Sequence, residues 1–226
     1  MMRDRSVFYD TIASEFDQVM NKYEVHKRLH LLFSVLLPDS LEGQRVLDAG
    51  CGTGWFTQEL ARRRAEVVAL DIGHTLLKEV ERKHDQARLV QSDLQRLAFA
   101  SNHFDAIICT EAIEHTPDPR RSVSELLRVL RPGGILALTV PNRVWHFSVS
   151  VASLLNIRPY KGYENWVRRR DLHDWVTESG ATVERMIGFN LFPLFYRPFY
   201  GVLDFADQRL TRLQPIMVNI GIRVRK

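Results

Sequence analysis

Apolar residues recur along this chain with two different spacings, and the two alternate. Short apolar runs, which are typical of buried strands, are followed by segments whose apolar residues fall three and four positions apart, as on one face of a helix. This alternation predicts an α/β fold built on a doubly wound sheet. The predicted strands are a first one that ends with Val46 and Leu47, then 66–71, 87–93, 103–110, 134–141, 181–189 and 215–225, and the predicted helices are 55–64, 120–130 and 169–180.

Residues 6–37, before the first strand, are also predicted to be helical, because YDTIASEFDQV and VHKRLHLLFSVLL each show an apolar face. We find no internal repeat, low-complexity tract or linker, so residues 1–226 are predicted to form one domain. It would comprise an N-terminal helical cap (1–40), a central core (41–142) and a C-terminal part (143–226).

The stretch VLDAGCGTGW, residues 46–55, predicts a ligand-binding turn between the first strand and the helix that begins at Trp55. Its glycines can adopt positive φ and let a ligand approach the backbone closely: Gly50, Gly52 and Gly54. The stretch does not fit G-x-G-x-x-G, because Trp55 takes the third position, and no lysine follows as in a P-loop. Asp48 would repel a pyrophosphate but attract an ammonium or sulfonium group. The turn therefore predicts a cationic nucleoside as ligand.

Two more acids follow the second and third strands. Asp71 ends the run 66–71, 21 positions after Gly50, about where the ribose-binding acid of a nucleotide-binding βαβ unit falls. Asp93 ends the run 87–93. Because the carboxyl ends of parallel strands line one crevice, Asp48, Asp71 and Asp93 should converge on one ligand. One acid that accepts from ribose hydroxyls and another near an exocyclic amine would suit an adenosine that carries no phosphates.

In its motifs and in the spacing between them, the sequence resembles the class I S-adenosylmethionine (SAM)-dependent methyltransferases. The resemblance covers about residues 40 to 140 and rests on VLDAGCGTG, ALD at 69–71, SDL at 92–94 and LRPGG at 130–134. It implies a single Rossmann-like domain with a SAM-binding core at 41–142 and a seven-stranded, mostly parallel sheet. The last apolar run would supply the antiparallel edge strand of that sheet.

The resemblance also implies a role for each matching residue. Gly50 and Gly52 would approach the methionine end of SAM, and Asp71 would bind the ribose hydroxyls. Asp93 and the amide of Leu94 would bind the adenine. The remaining residues expected to contact SAM are Asp48, near its ammonium group, and Cys51, Gly54, Ile72, Thr110 and Glu111.

The candidate catalytic residues follow the fourth strand, in TEAIEHTPDP at 110–119. They are expected there because the carboxyl end of that strand would face the transferred methyl group. Glu111, Glu114 and His115 are three and four positions apart, so one helical turn would place two carboxylates and an imidazole on one face. The stretch lacks the Pro-Pro-aromatic signature of nucleic-acid amino methyltransferases, which argues against methylation of a base.

Three interpretations of this turn stay open. Glu-x-x-Glu-His resembles ubiquinone-biosynthesis and small-RNA 2′-O-methyltransferases, in which such residues hold a divalent cation beside the acceptor oxygen. Mg²⁺ or Mn²⁺ would suit the oxygen ligands, the imidazole also allows Zn²⁺, and Asn142 is a further candidate ligand. Alternatively, His115 alone is the general base. In the third interpretation the glutamates bind local backbone and His115 packs beside the cofactor.

The C-terminal part is rich in aromatic residues. Seven of the seventeen residues in FNLFPLFYRPFYGVLDF, 189–205, are aromatic. Pro198 would kink any helix there, so an irregular aromatic flap is predicted. Such residues often belong to a core; the sharper hypothesis is a pocket or an interfacial surface for a lipophilic acceptor. The candidate pocket residues are Trp145, Tyr160, Tyr163, Phe192, Phe195 and Phe199.

Composition sets bounds on these predictions. With 45% hydrophobic and 26% charged residues, the chain is ordinary for a globular protein. Cys51 and Cys109 fit no metal spacing and suggest reduced intracellular thiols, and MMRDRSVFYD has no apolar signal segment, so a cytoplasmic location is expected. A net charge of +4 permits contact with an anionic membrane surface without requiring it.

Together these features predict a SAM-dependent O-methyltransferase for a small, lipophilic, hydroxylated acceptor such as a phenol or quinone precursor. S-adenosylhomocysteine would be the second product. A peripheral membrane contact is a further expectation, nucleic acid is not expected as a partner, and the oligomeric state is not predicted. The alternatives are C- or N-methylation of another metabolite, RNA 2′-O-methylation, and a SAM-binding partner protein without catalysis.

Overall fold

The structure is a computed structural model that describes residues 10, 13, 17, 20–84, 87–148, 162–192 and 200–226. In this part of the chain seven strands form one sheet. In chain order they are β1 (Arg45–Ala49), β2 (Glu66–Asp71), β3 (Arg88–Gln91), β4 (Phe104–Thr110), β5 (Leu130–Pro141), β6 (Thr182–Phe189) and β7 (Asn219–Arg225). Their order in space is β3-β2-β1-β4-β5-β7-β6.

Neighbouring strands run parallel except at β7, which is antiparallel to both β5 and β6. The seven-stranded, mostly parallel sheet expected from the sequence is therefore confirmed, with its antiparallel pairing at one edge. Within that edge β6 is outermost and β7 is the second strand, because β7 forms hydrogen bonds on both of its sides. The strand order reverses between β1 and β4, and such a reversal opens a crevice at the carboxyl ends of the strands.

The bounds of six α-helices are defined within the described residues: α1 (Lys22–Leu31), α2 (Trp55–Arg62), α3 (His74–Lys83), α4 (Pro119–Val129), α5 (Arg169–Glu178) and α6 (Tyr200–Arg209). A π-helix continues α1, and short 3₁₀ helices follow β4, β5 and α6: Leu32–Leu36, then Ile113–His115, Arg143–Trp145 and Thr211–Ile216. In the part of the chain that the structure covers, no helix is both long and apolar enough to cross a bilayer.

Apolar side chains on both faces of the sheet explain why helices cover both faces. Val46 and Ile108 belong to one buried cluster, which includes residues of the π-helix and of α2. Leu47 and Ile107 belong to a second cluster, which includes residues of α4 and α5. The central strands are therefore buried on both faces, as continuous apolar runs in parallel sheets usually are.

The elements follow the sequence pattern but differ from it in several places. Helix α3 (His74–Lys83) was not predicted, and β5 begins at Leu130, four residues before the predicted strand. Residues 200–205, predicted as part of an irregular aromatic flap, lie in the helix α6. The last predicted strand, 215–225, begins only at Asn219, because the residues before it form the 3₁₀ helix Thr211–Ile216. The helical segment predicted over 6–37 is represented by α1 and its π-helical continuation, and most of its first half lies outside the described residues.

Candidate active site

Gly50 brings three loops into contact at the carboxyl end of the sheet. A Cβ atom built on Gly50 would lie 2.5 Å from Cβ of Ala112, which follows β4, and 3.9 Å from Cδ1 of Leu94, which follows β3. The φ of Gly50 is +78°, a conformation that side chains rarely adopt. Glycine is therefore required here both by the backbone conformation and by the approach of Ala112.

Asp71 joins the glycine loop to the end of β2. Its Oδ2 accepts a hydrogen bond from the Gly52 N–H group at 2.9 Å, and its Oδ1 accepts one from Gly73 N–H at 2.9 Å. Burial raises the pKa of Asp71, and these backbone N–H groups work against that rise. Each oxygen keeps a second lone pair for a ligand hydroxyl, so the carboxylate fits the predicted contact with ribose.

The other predicted cofactor residues lie at the same strand ends. Asp93 follows β3, and its Oδ1 accepts a hydrogen bond from the N–H of Gln95 at 2.9 Å. Leu94 is buried against Gly50. The rest end β4 or lie in the loops after β1, β2 and β4: Cys51, Gly54, Ile72, Thr110 and Glu111. The predicted set thus lies at the carboxyl end of the sheet, and each contact with SAM stays a prediction.

Asp48 lies deeper than its sequence position suggested. Its side chain is buried within β1 and is not at the lip of the loop. Oδ2 accepts the Thr57 hydroxyl at 2.6 Å, while Oδ1 has no hydrogen-bond partner among the described residues. Burial, together with the negative charge of Asp71, raises the pKa of Asp48 to about 7. A buried carboxylate oxygen without a partner suits a cationic group, so the residues of this crevice fit SAM.

Asp48 should make stability depend on pH. Its carboxyl ionises near 3.8 in a free chain and at about 7 in the folded protein. Between these values the folded protein keeps a proton that the unfolded chain has released, so the free energy of unfolding falls as pH rises, by up to ~4 kcal/mol. We expect Asp48→Asn to flatten this fall in urea unfolding at a series of pH values. The exposed N-cap variant Asp118→Asn is the control, and equal slopes for Asp48→Asn and wild type would contradict the prediction.

The turn after β4 holds the predicted catalytic residues, but not on one face of an α-helical turn. Glu111 has a left-handed φ of +48°, and only Ile113–His115 form a 3₁₀ helix. The prediction that Glu111, Glu114 and His115 share a helical face was therefore wrong. The backbone of Glu111 is held by its N–H, which donates to the Thr139 carbonyl at 2.9 Å.

The two carboxylates of this turn influence each other. Burial and the nearby Glu111 carboxylate raise the pKa of Glu114 well above its usual range. Burial also raises the pKa of Glu111, and the guanidinium of Arg28 in α1 works against that rise. Of the two carboxyl groups, Glu114 therefore has the stronger tendency to keep its proton, while Arg28 favours the charged form of Glu111. Glu111 Oε1 and Glu114 Oε2 have no hydrogen-bond partner within the described ranges.

The contacts of His115 fix which ring nitrogen is basic. Nδ1 lies 2.8 Å from the Tyr163 carbonyl oxygen, which can only accept, so Nδ1 carries the proton. In the neutral ring Nε2 is then the basic nitrogen, and it lies 3.8 Å from Oε1 of Glu114. The Asn165 N–H donates to the Glu114 carbonyl at 2.8 Å, so residues after 161 line this turn.

The residues do not fit the metal site that the sequence suggested. Within the described ranges, no group of three or more His, Cys, Asp and Glu side chains could hold a metal ion. Glu111 Oε2 accepts instead from the side-chain amide of Asn219 at 2.9 Å. Asn142, the further candidate ligand, donates to the carbonyl groups of Pro215 and Met217, both at 3.0 Å. The expectation of Mg²⁺ or another divalent metal is therefore not supported.

The structure brings together some of the predicted pocket residues. The rings of Trp145 and Phe192 meet edge to face, 5.8 Å apart, and Phe192 is exposed. The Tyr163 backbone contacts His115. Tyr160, Phe195 and Phe199 lie outside the described residues.

Sequence reasoning missed several residues that contact the site. Asp17 accepts from the Thr53 hydroxyl in the glycine loop at 2.5 Å, and Asp10 accepts from the N–H of Leu76 at 3.1 Å. No pattern in the N-terminal segment indicated these contacts. Asn219 offered a signal, since it is a polar residue within the apolar run of the last predicted strand.

Comparison with known proteins identifies the family. A profile of the methyltransferase domain matches residues 47–138. The chain is 35% identical to the ubiquinone biosynthesis O-methyltransferase of Xylella fastidiosa (strain M23) over 202 residues, which cover 81% of each chain. The protein belongs to the class I SAM-dependent methyltransferases. This methyltransferase is also 35% identical to the ubiquinone biosynthesis O-methyltransferase of Alkalilimnicola ehrlichii, over 70% of its own length and 68% of that relative's.

Solved structures share the fold of this methyltransferase. A chain from the Haloferax volcanii complex that contains the Trm112 methyltransferase activator matches with a TM-score of 0.74 at 17% identity, over 100% of this chain and 99% of that one. A SAM-dependent methyltransferase from Mesorhizobium loti matches with a TM-score of 0.65 at 17% identity, over 86% and 95% of the two chains. At these identities the likeness concerns the fold alone.

Proposed function

We propose that this methyltransferase methylates a hydroxyl oxygen of a small lipophilic acceptor, such as a phenol or quinone precursor. One observation carries the proposal: the turn with Glu111, Glu114 and His115 packs against the glycine loop through Ala112 and Gly50. Groups that can bind a hydroxyl and accept its proton are thus next to the expected SAM site. The name of the relatives, ubiquinone biosynthesis O-methyltransferase, supports the same choice.

Glu111 and His115 have different roles in the proposed reaction. Bound SAM supplies an electrophilic methyl group on a sulfonium sulfur, which becomes a neutral thioether. Glu111 accepts a hydrogen bond from the acceptor hydroxyl through Oε1, which is unpartnered in the described part of the chain, and orients the hydroxyl oxygen. His115 Nε2 takes the hydroxyl proton as the oxygen–methyl bond forms. Holding the two reacting groups in line contributes about 7–11 kcal/mol in well-oriented systems.

A cluster of exposed apolar side chains after β5 supports a lipophilic acceptor. Trp145 contacts Phe192, and its ring stacks on Phe147 at 5.7 Å. Phe147 is 60% exposed and Val144 is 53% exposed, so these side chains offer contact area to an apolar molecule. The same exposed groups support the expected peripheral contact with a membrane surface.

The proposal is tested with matched acceptors. Purified protein is incubated with SAM labelled in its methyl group and with an alkylated phenol or catechol, the corresponding aniline, or a short RNA. We expect a labelled methyl ether from the hydroxylated acceptor, identified by mass spectrometry, and little product from the other two. A labelled methylamine, a ring-methylated product or labelled RNA as the main product would overturn oxygen methylation of a small acceptor. SAM binding without transfer to any acceptor would support a binding protein instead.

A further inference from the structure

A chain of hydrogen bonds leads from Glu111 into the C-terminal part of the fold. The side-chain amide of Asn219, at the start of β7, donates to Glu111 Oε2 at 2.9 Å. Oδ1 of Asn219 accepts from Nδ2 of Asn190 at 3.0 Å. Both asparagines are buried, at 4% and 5% exposure. Buried polar side chains of this kind are retained only where their hydrogen bonds are satisfied.

Asn190 sets the direction in which the Asn219 amide points. Because Asn190 donates to Oδ1 of Asn219, the NH₂ group of Asn219 must face Glu111. With the amide reversed, two NH₂ groups would meet at one end and two oxygens at the other. The pair of asparagines therefore presents a donor, and not an acceptor, to the Glu111 carboxylate.

Asn190 is itself held by a charged residue of α6. Its backbone has a left-handed φ of +61°, which asparagine tolerates better than most residues. The N–H groups of Asn190 and Leu191 donate to the two oxygens of Asp207, at 2.8 and 2.9 Å. Asp207 forms an ion pair with Lys27 of α1 at 2.5 Å. The chain of contacts thus runs from α1 through α6 and the end of β6 to Glu111.

We propose that Asn219 is a positioning residue for methyl transfer: oriented by Asn190 and anchored through Asp207, it holds the Glu111 carboxylate toward the acceptor hydroxyl. The role rests on the proposed function of Glu111. The backbone bond from Glu111 to Thr139 fixes the main chain, whereas the Asn219 amide acts on the carboxylate itself. Other groups also face Glu111: Glu24 and Arg28 of α1, Glu114 of the same turn and Thr139 of β5.

A double-mutant cycle with Glu111 tests the role. We expect Asn219→Ala to lower kcat about 10- to 100-fold, as a misplaced reacting group does, with little change in SAM affinity. In the Glu111→Ala background the same change should lower kcat by less than about twofold, because no carboxylate is left to position. A purely structural role would lower kcat by the same factor in both backgrounds, and that result would overturn the proposal.

Two further variants keep the test decisive. Asn219→Asp preserves size but removes the donor, so it should lower kcat as Asn219→Ala does even if the alanine variant folds poorly. Asn142→Ala removes an equally buried asparagine that bonds to the 215–217 backbone, and its effect should be additive with Glu111→Ala. If the effects of Asn142→Ala and Asn219→Ala on kcat depended equally on the presence of Glu111, the specific role of Asn219 would be overturned.

A spectroscopic measurement separates this proposal from the proposed function. In protein labelled with [¹⁵N]asparagine, the side-chain amide signal of Asn219 is identified by its loss in Asn219→Asp. We expect this signal to shift in Glu111→Gln without any ligand present, and an unmoved signal would overturn the positioning contact. The kinetic cycle uses whichever acceptor the protein methylates, so an amine acceptor would overturn oxygen methylation without deciding the role of Asn219.

Discussion

Gly50→Ala is expected to weaken SAM binding at least about tenfold and to lower the midpoint of thermal unfolding. The new Cβ would lie 2.5 Å from Cβ of Ala112, whereas carbon atoms in ordinary contact are about 3.5–4.0 Å apart. The loop after β1 and the turn after β4 must therefore move apart, and SAM is expected to bind beside both. Calorimetric titration with SAM and thermal unfolding measure the two effects.

Gly133→Ala is the matched control for that experiment. Gly133 has a φ of +76°, against +78° for Gly50, but a Cβ on Gly133 would meet no atom within 4 Å. Both variants carry the same backbone strain, about 1–2 kcal/mol, and only Gly50→Ala adds the collision. Gly133→Ala should therefore lose some stability and keep its SAM affinity. Equal losses of SAM affinity in the two variants would show that the contact with Ala112 does not shape the crevice.

His115→Ala is expected to lower kcat by about 10² to 10⁴, the usual contribution of a general base, while SAM still binds. Nδ1 of His115 donates to Tyr163, which leaves Nε2 as the basic nitrogen of the neutral ring. The ring is partly exposed, so its loss should change stability only modestly. Steady-state kinetics with the hydroxylated acceptor and calorimetry with SAM measure these effects.

His115→Asn separates catalysis from structure. An asparagine NH₂ group can replace the Nδ1 donor to Tyr163 but supplies no basic nitrogen. If His115 is the base, the asparagine variant should be as slow as the alanine variant. Recovery of kcat in His115→Asn would instead show that the hydrogen bond to Tyr163 is what matters. His173→Ala, which removes an exposed imidazole from α5, should leave kcat unchanged.

The sequence predicted most of the cofactor side of the site because its signals are local. Gly50 and Asp71 each lie at the end of an apolar run, and the rule that parallel strands end at one crevice places them together. The structure confirms that geometry through the hydrogen bond from Gly52 to Asp71. For such residues, position along a strand is enough to predict position in space.

The acceptor side was harder to predict because it depends on contacts between distant segments. The spacing of Glu111 and Glu114 suggested a helical turn, but the bond from Glu111 N–H to Thr139 of β5 places Glu111 in a left-handed conformation. Asn219 meets Glu111 across 108 positions of the chain. Asp48 was predicted in the turn after the first strand, yet it lies within β1, where its carboxylate accepts a hydrogen bond from Thr57 of the following helix.

The place of β7 in the sheet has a consequence for biosynthesis. Among the described strands β7 comes last in the sequence, yet it lies between β5 and β6. Chains fold from the N-terminus as they leave the ribosome, at about 5–20 residues per second. The strands β1 to β4, whose ends carry the predicted SAM-binding residues, can therefore pair before β7 is made, whereas β6 cannot join the sheet until β7 is present. Because β7 also carries Asn219, the hydrogen bond from Asn219 to Glu111 can form only after β7 has joined the sheet.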